Sequence, residues 1–351
     1  MKRKVFSQLI QWGSAAVVAL LICNMLAFVY ERPVGWIELQ QGATHSIWRP
    51  GALLIHGIEG RGVYTVDSNG YINENKKLGN KYTIVIGASH TQGKEITKGE
   101  RYSDLLNEAL TSETDELAVY NLSSDAYFFP DIIQGFSASV QAFPNAERVI
   151  IETGSIQYEA DVIEKAMDQR IFDENQMGAG VFSSSSAKEK IKFWIKETFP
   201  LISRYKGQLE TYQSQKMNVA KENKEVKKNI KEAGEKFDII SYKQSMNKAL
   251  RLIRNEFDGE IIILYHPNVT LGEDGMSVTT SIVDDIFTEL CKDNNIVLIN
   301  VADQFLEEYE SNYLVPYGFN NTSMGVGHLN KEGHRMIAQA VMKHIEEEKQ
   351  K

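Results

Sequence analysis

A three-layer α/β/α sandwich with a parallel central sheet is predicted by three features of this chain. Short apolar runs recur at 84–86, 118–120, 148–151, 261–265 and 296–299. Helical patterns separate them, so each strand returns through a helix. The runs are continuously apolar rather than alternating, which marks strands covered on both faces. Ligands in such sheets bind beyond the carboxyl ends of the strands.

The elements follow in order. Residues 1–12 form a basic cytoplasmic N-terminus opening Met1-Lys2-Arg3-Lys4, and 13–30 form an apolar run whose strongly polar residue is Asn24. A run of about 18 residues is long enough to cross a bilayer as a helix. Basic residues before it, with few after it, predict a cytoplasmic N-terminus and an exported remainder. A cleaved signal peptide is the alternative, but no Ala-x-Ala-like site follows. Residues 31–80 read as a β-rich lead-in, with a turn at Asp67-Ser68-Asn69-Gly70-Tyr71. Residues 81–348 carry the α/β domain, interrupted at about 183–255 by a helical insertion without a strand signal. Within it, 188–237 is rich in Lys, Glu and Gln, with a narrow apolar stripe at Tyr205, Leu209, Tyr212, Val219, Val226 and Ile230. Such a stripe fits a solvated helix resting on the domain, or a lid or partner-binding hairpin. The serines at 183–186 read as a loop and N-cap.

Composition excludes several classes. The net charge of −9 and the lack of a basic stripe outside the insertion argue against a nucleic-acid partner. Of two cysteines, Cys291 alone lies outside the apolar run, so no intrachain disulfide is expected in the domain.

Candidate chemistry lies at two segments. Gly87-Ala88-Ser89-His90-Thr91-Gln92-Gly93 follows the first apolar run and opens a helical pattern. The small residues permit a sharp turn, the Ser89 hydroxyl stands clear of the sheet, and helix-start amides face an incoming oxyanion. Near the other end, Gly327-His328-Leu329-Asn330-Lys331-Glu332-Gly333-His334 places His328 just before a terminal amphipathic helix. Ser89 as nucleophile and His328 as base make a hydrolase pair. The plain alternatives are a helix-capping serine and a capping neighbour. His334 falls six residues after His328, off its helical face, so no metal site is expected. His90 is a pocket-lining or structural residue, and His266 in Tyr265-His266-Pro267 is read as a packed rim histidine.

These segments resemble the SGNH (GDSL-type) esterases and acyltransferases, over about residues 67–345. Gly87, Ser89, Thr91 and Gly93 match the first block of that family, with Ala88 in place of the acid; His328, Leu329, Asn330 and Gly333 match the last, with Gly325 in place of the acid. Weaker matches are Asn121-Leu122-Ser123-Ser124-Asp125-Ala126, with Ala126 where glycine is common, and Glu152-Thr153-Gly154-Ser155-Ile156-Gln157, with Ile156 where the family has asparagine. The resemblance implies an SGNH-hydrolase-like, flavodoxin-like sheet and a cofactor-free Ser89–His328 centre. It also implies an oxyanion site from the backbone of Ser89 and Ala126, with Gln157 as a side-chain donor, and a pocket including His90, Gly154 and Ser155. With Gly325 in the acid's place, His328 is expected to be oriented by a backbone carbonyl; Asp303 or Asn321 as third member, or an inactive site, are the alternatives.

The expected function is thus a membrane-anchored, extracytoplasmic bacterial esterase or O-acyltransferase acting on O-acetyl groups of a cell-surface or exported polysaccharide. The competing expectation, supported by Ala88, Ile156 and Gly325, is a non-catalytic glycan-binding or assembly protein partnering a membrane acyltransferase.

Overall fold

The chain begins as one helix, Lys2–Tyr30, of which Val5–Tyr30 is long and apolar enough to cross a membrane. The structure, a computed structural model, describes residues 2–38, 45–111, 115–170, 186–202, 205 and 237–350. After the helix come two antiparallel strand pairs, β1 (Trp36–Glu38) with β2 (Ser46–Trp48) and β3 (Leu53–His56) with β4 (Gly62–Thr65). Val34, Trp48, Ala52, Leu54, Tyr64, Val66 and Ile72 form a small core of their own there. The Asp67–Tyr71 turn joins this lead-in to the main sheet. Asp67 Oδ1 accepts from the Asn69 and Tyr71 amides, and its Oδ2 accepts from the Tyr120 hydroxyl at 2.7 Å.

Five strands form the main sheet: β5 (Lys77–Ile86), β6 (Glu116–Asn121), β7 (Ala146–Thr153), β8 (Glu260–Tyr265) and β11 (Val297–Asn300). All pair in parallel, in the order β11-β8-β7-β5-β6. Two further short strands, β9 (Val269–Gly272) and β10 (Gly275–Val278), make a separate hairpin. Alternate residues of the sheet feed two cores. Ile84, Ile86, Val149, Ile151, Ile261 and Ile263 pack beneath helices Phe129–Ala142, Ile239–Glu256 and Asp284–Asp293. Val85, Val119, Ile150, Ile262 and Leu264 pack beneath Tyr102–Leu110, Ala302–Asn312 and Lys331–Lys349. The three-layer α/β/α sandwich is therefore as expected. Both faces are covered, which explains why the strands read as unbroken apolar runs.

The strand order places the site. Counted in chain order the sheet runs 2-1-3-4-5, so the chain crosses to the opposite side of β5 after β6. The carboxyl ends of β5 and β7 then flank a crevice at this switch point, where doubly wound sheets bind ligands. Ser89 follows β5, and Gly154 and Ser155 follow β7.

Of the expected insertion at about 183–255, helix Ala187–Thr198 starts at a capping box in which Ser186 and Glu189 bond reciprocally, whereas Ile239–Glu256 belongs to the sandwich itself, because its Tyr242, Met246, Leu250 and Ile253 pack into the core on one face of the sheet. Tyr205 is helical and exposed. Leu209, Tyr212, Val219, Val226 and Ile230 lie outside the described residues.

Candidate active site

Three side chains from distant parts of the chain form one hydrogen-bonded line. Ser89 Oγ lies 2.9 Å from His328 Nε2, and His328 Nδ1 lies 2.6 Å from Glu59 Oε2. Glu59 Oε1 also accepts from the His328 backbone amide at 2.8 Å, so the carboxylate grips both the ring and the main chain of one residue. Ser89 is the first residue of the short helix Ser89–Gln92, and its amide is a helix-start N–H without an i−4 carbonyl to bond. His328 is held by the Gly318 amide donating to its carbonyl and by an antiparallel bridge between Tyr317 and Leu329. Asn330 then caps the terminal helix, accepting from Glu332 and Gly333 amides while donating to the carbonyls of Val315 and Gly318.

Glu59 corrects the expectation for the third partner. His328 is oriented by a carboxylate, not by a backbone carbonyl, and neither Asp303 nor Asn321 supplies it. Asp303 is exposed and lines a separate groove with Asn300, Gln304 and Lys343 after β11. That strand is the far edge of the sheet, with β8 and β7 between it and β5. Asn321 has a different task. It accepts from the Gly60 amide at 2.9 Å and donates to the carbonyls of Gly57 and Gly60, clamping the loop on both sides of Glu59. Gly325 is in the left-handed region with φ +81° and bonds to the Tyr317 carbonyl, away from this line. Gly327 makes the arrangement sterically feasible: a Cβ there would sit 2.2 Å from Glu59 Oε1. A second carboxylate, Glu95, approaches His328 Nδ1 only to 4.0 Å. Burial raises its pKa and so favours its uncharged form.

Beneath the Ser89 turn lies a buried cluster that the sequence reading did not single out. Glu152, at the end of β7, accepts from the Ala88 amide and the Thr91 hydroxyl with Oε2, each at 2.8 Å, and faces His266 Nε2 at 2.6 Å with Oε1. His266 is thus fully buried behind the turn rather than a rim residue, with its Nδ1 2.8 Å from the Tyr317 hydroxyl. A Cβ at Gly87 would lie 2.4 Å from Glu152 Oε2, so the glycine admits the carboxylate to the turn. Burial alone would raise the Glu152 carboxyl, but the charge and hydrogen bond of His266, with Thr91, hold it at about 2. The folded value lies below the ordinary 4.5. Its stabilising contribution is therefore present above about pH 4.5 and is lost as pH falls toward 2. Removing one partner of a buried pair costs about 3–5 kcal/mol. Glu152→Ala should therefore lower the melting midpoint sharply at pH 7 and flatten its fall between pH 5 and 3; a parent-like acid slope in the variant would refute this role.

The remaining candidates surround the turn. His90 accepts the Leu329 amide on Nδ1 at 3.2 Å, and its ring centroid stands 5.1 Å from that of His328 and 4.8 Å from that of His266. Burial, reinforced by its histidine neighbour His266, lowers its pKa to about 3, so it is a neutral ring. Gly154 lies against His266, where a Cβ would be 3.3 Å from the ring, and the Ser155 amide bonds to Thr153 Oγ1. Ala126 has φ +56°, a left-handed conformation costing a non-glycine residue about 1–2 kcal/mol. Its loop is drawn toward the Ser89–Gln92 helix by the Ser124 amide bonding to the Gly87 carbonyl and by Lys94 pairing with Asp125 at 2.6 Å. Gln157 is exposed, and its side-chain oxygen accepts from the Ser281 hydroxyl at 3.0 Å. His334 is fully buried, accepts the Tyr102 amide and stacks on Tyr102. Among the described residues no group of His, Cys, Asp and Glu has the arrangement of a metal site.

No protein-family model matches the chain, and no curated protein does either. Solved structures with a similar path include a two-domain esterase active on acetylated mannans, at 10% identity and a TM-score of 0.39, over 77% of this chain and 50% of that one. A psychrotrophic esterase, EstA from Pseudoalteromonas sp., is similar at 11% identity and a TM-score of 0.40, over 78% of this chain and all (100%) of its own. An acetylxylan esterase from Geobacillus stearothermophilus, in a catalytic mutant, is similar at 12% identity and a TM-score of 0.36, over 78% of this chain and 96% of its own. This chain therefore spans half the length of the two-domain esterase.

Proposed function

We propose that this protein is a membrane-tethered serine esterase or O-acyltransferase in which Ser89 is the nucleophile, His328 the general base and Glu59 the carboxylate that orients His328. The observation that carries the reading is the unbroken line from Ser89 Oγ through His328 to Glu59 at the switch point of the sheet. Ser89 Oγ attacks the ester carbonyl while His328 Nε2 takes its proton, and Glu59 stabilises the imidazolium that forms. The carbonyl oxygen becomes an oxyanion, met by backbone amides at the turn, those of Ser89 and Ala126 being the assigned donors. Collapse breaks the bond to the alcohol, which leaves with the proton returned by His328. The acyl-serine is then resolved by water or by a sugar hydroxyl, deprotonated by the same imidazole.

Tethering by Val5–Tyr30 and the basic residues before it support an extracytoplasmic site and an acyl group, O-acetyl in our reading, on a surface or exported glycan. Against the non-catalytic reading, Glu59 offers His328 the carboxylate that Gly325 lacks, which removes one of the three substitutions, Ala88, Ile156 and Gly325, on which that reading rests. The test is the full chain in detergent with p-nitrophenyl acetate, with and without an oligosaccharide acceptor. Nitrophenolate release above that of Ser89→Ala supports the centre, and acetylated oligosaccharide identifies transfer. Release no greater than in Ser89→Ala would reject the enzyme reading.

A further inference from the structure

The helix Ala187–Thr198 is joined to the apolar N-terminal helix through Asn24, the strongly polar residue of the 13–30 run. Asn24 Nδ2 donates to the Thr198 carbonyl at 3.0 Å, and Asn24 Oδ1 accepts from the Leu201 amide at 3.5 Å. Asn24 precedes the helix end at Tyr30 by six residues, which is about 9 Å at 1.5 Å per residue. One side of the Ala187–Thr198 helix docks on the lead-in. Phe193 and Glu197 are buried there, and Glu197 accepts from Arg49 Nε at 2.9 Å and from the Gly35 amide.

Its other side carries the opposite chemistry. Ile191, Trp194 and Ile195 are 60%, 61% and 41% exposed. Spaced i, i+3, i+4, they share one stripe, and Ile202 continues the exposed apolar surface beyond the helix end. At 100° per residue, Lys188 and Lys190 fall on the two edges of the stripe and Lys192 lies just beyond. An outward apolar stripe containing Trp and bordered by lysines is costly against water and suited to a membrane surface.

We propose that residues 187–202 are an interfacial membrane-binding element that lies in the headgroup–acyl boundary of an anionic bilayer. The proposal rests on Val5–Tyr30 spanning that bilayer. Depth and chemistry agree: interfacial helices bury their apolar face about 5–10 Å deep, and the junction at Asn24 lies about that far below the helix end. The lysine edges meet the phosphates of anionic lipids, and the Trp194 ring sits at the headgroup level. The spanning helix and the interfacial helix together fix how the domain sits on the surface. The site is coupled to the same place, because the Gly57 amide bonds to Glu31 Oε2 at 3.1 Å and Arg61 Nη1 to the Val29 carbonyl at 3.1 Å, on either side of Glu59. The Ser89 centre is thereby held close above the bilayer, facing acyl donors or glycans presented at the membrane.

Site-directed nitroxide labelling tests this with the full chain in vesicles of phosphatidylethanolamine and phosphatidylglycerol. Single cysteines are placed at Leu20, Glu189, Ile191, Lys192 and Trp194 in a Cys23→Ala, Cys291→Ala background, keeping only labelled proteins that melt cooperatively. Collisions with oxygen, which partitions into lipid, are compared with those of a water-soluble nickel chelate. Labels at 191 and 194 should favour oxygen, as at 20, while labels at 189 and 192 should favour nickel. A nickel preference at 191 and 194 with an oxygen preference at 20 overturns the interfacial helix and leaves the span standing. Low access to both at 191 and 194 means protein covers the stripe, by residues of the insertion or a second copy, and also overturns it. A nickel preference at 20 removes the span and the inference together.

Discussion

Ser89→Ala is expected to abolish ester turnover, by a factor on the order of 10⁶, while the protein still melts cooperatively near the parent midpoint. Among the described residues the hydroxyl makes a single hydrogen bond, to His328 at 2.9 Å, and Ser89 is only partly buried. Losing one such bond costs about 0.5–1.5 kcal/mol, small against the stability of a domain with two large cores. His328→Ala should lose a comparable factor. The Ser89→Ala, His328→Ala double variant should be no worse than either alone, because nucleophile and base act as one unit. Steady-state release of p-nitrophenolate measures all three. Turnover retained in Ser89→Ala, or a double loss equal to the product of the single losses, would remove Ser89 from the centre.

The sheet was readable from sequence because its physical signature is local. Runs such as Ile84-Val85-Ile86 send alternate side chains into two covered faces, and that demands apolar residues throughout. Ser89 and His328 were readable for a related reason: each sits where a strand or loop enters a helix, a junction that constrains several neighbouring residues at once. Glu59 carries no such signature. It lies in a loop between two short strands, and its relation to His328 is created by the fold, through the Asn321 clamp and the space left by Gly327. Gly327 was the available hint, since a glycine beside His328 leaves room for a close approach, but it does not say of what. Glu152 was hidden differently, because a carboxylate ending a buried strand reads as the strand's polar boundary. Its partners, the Ala88 amide and His266, are distant in sequence.

Glu59→Gln is expected to lower kcat by about 10³–10⁴ with KM little changed, the scale on which a triad carboxylate acts. Glutamine keeps the size of the side chain and can still accept the His328 amide through its oxygen, so the loop should hold. Its amide group cannot balance the imidazolium formed when Ser89 attacks, and an NH₂ facing Nδ1 favours the tautomer with its proton on Nε2, which cannot take the Ser89 proton. Two controls separate this chemistry from position. Asn321→Ala removes the clamp but leaves the carboxylate, so kcat should fall less than in Glu59→Gln. Asp303→Asn alters an exposed residue on the helix after β11, a strand separated from β5 by two others, and should leave kcat at the parent value. Activity of Glu59→Gln within a few-fold of the parent would return the centre to a Ser89–His328 pair. A loss in Asp303→Asn matching that of Glu59→Gln, in protein that melts cooperatively, would reassign the orienting carboxylate.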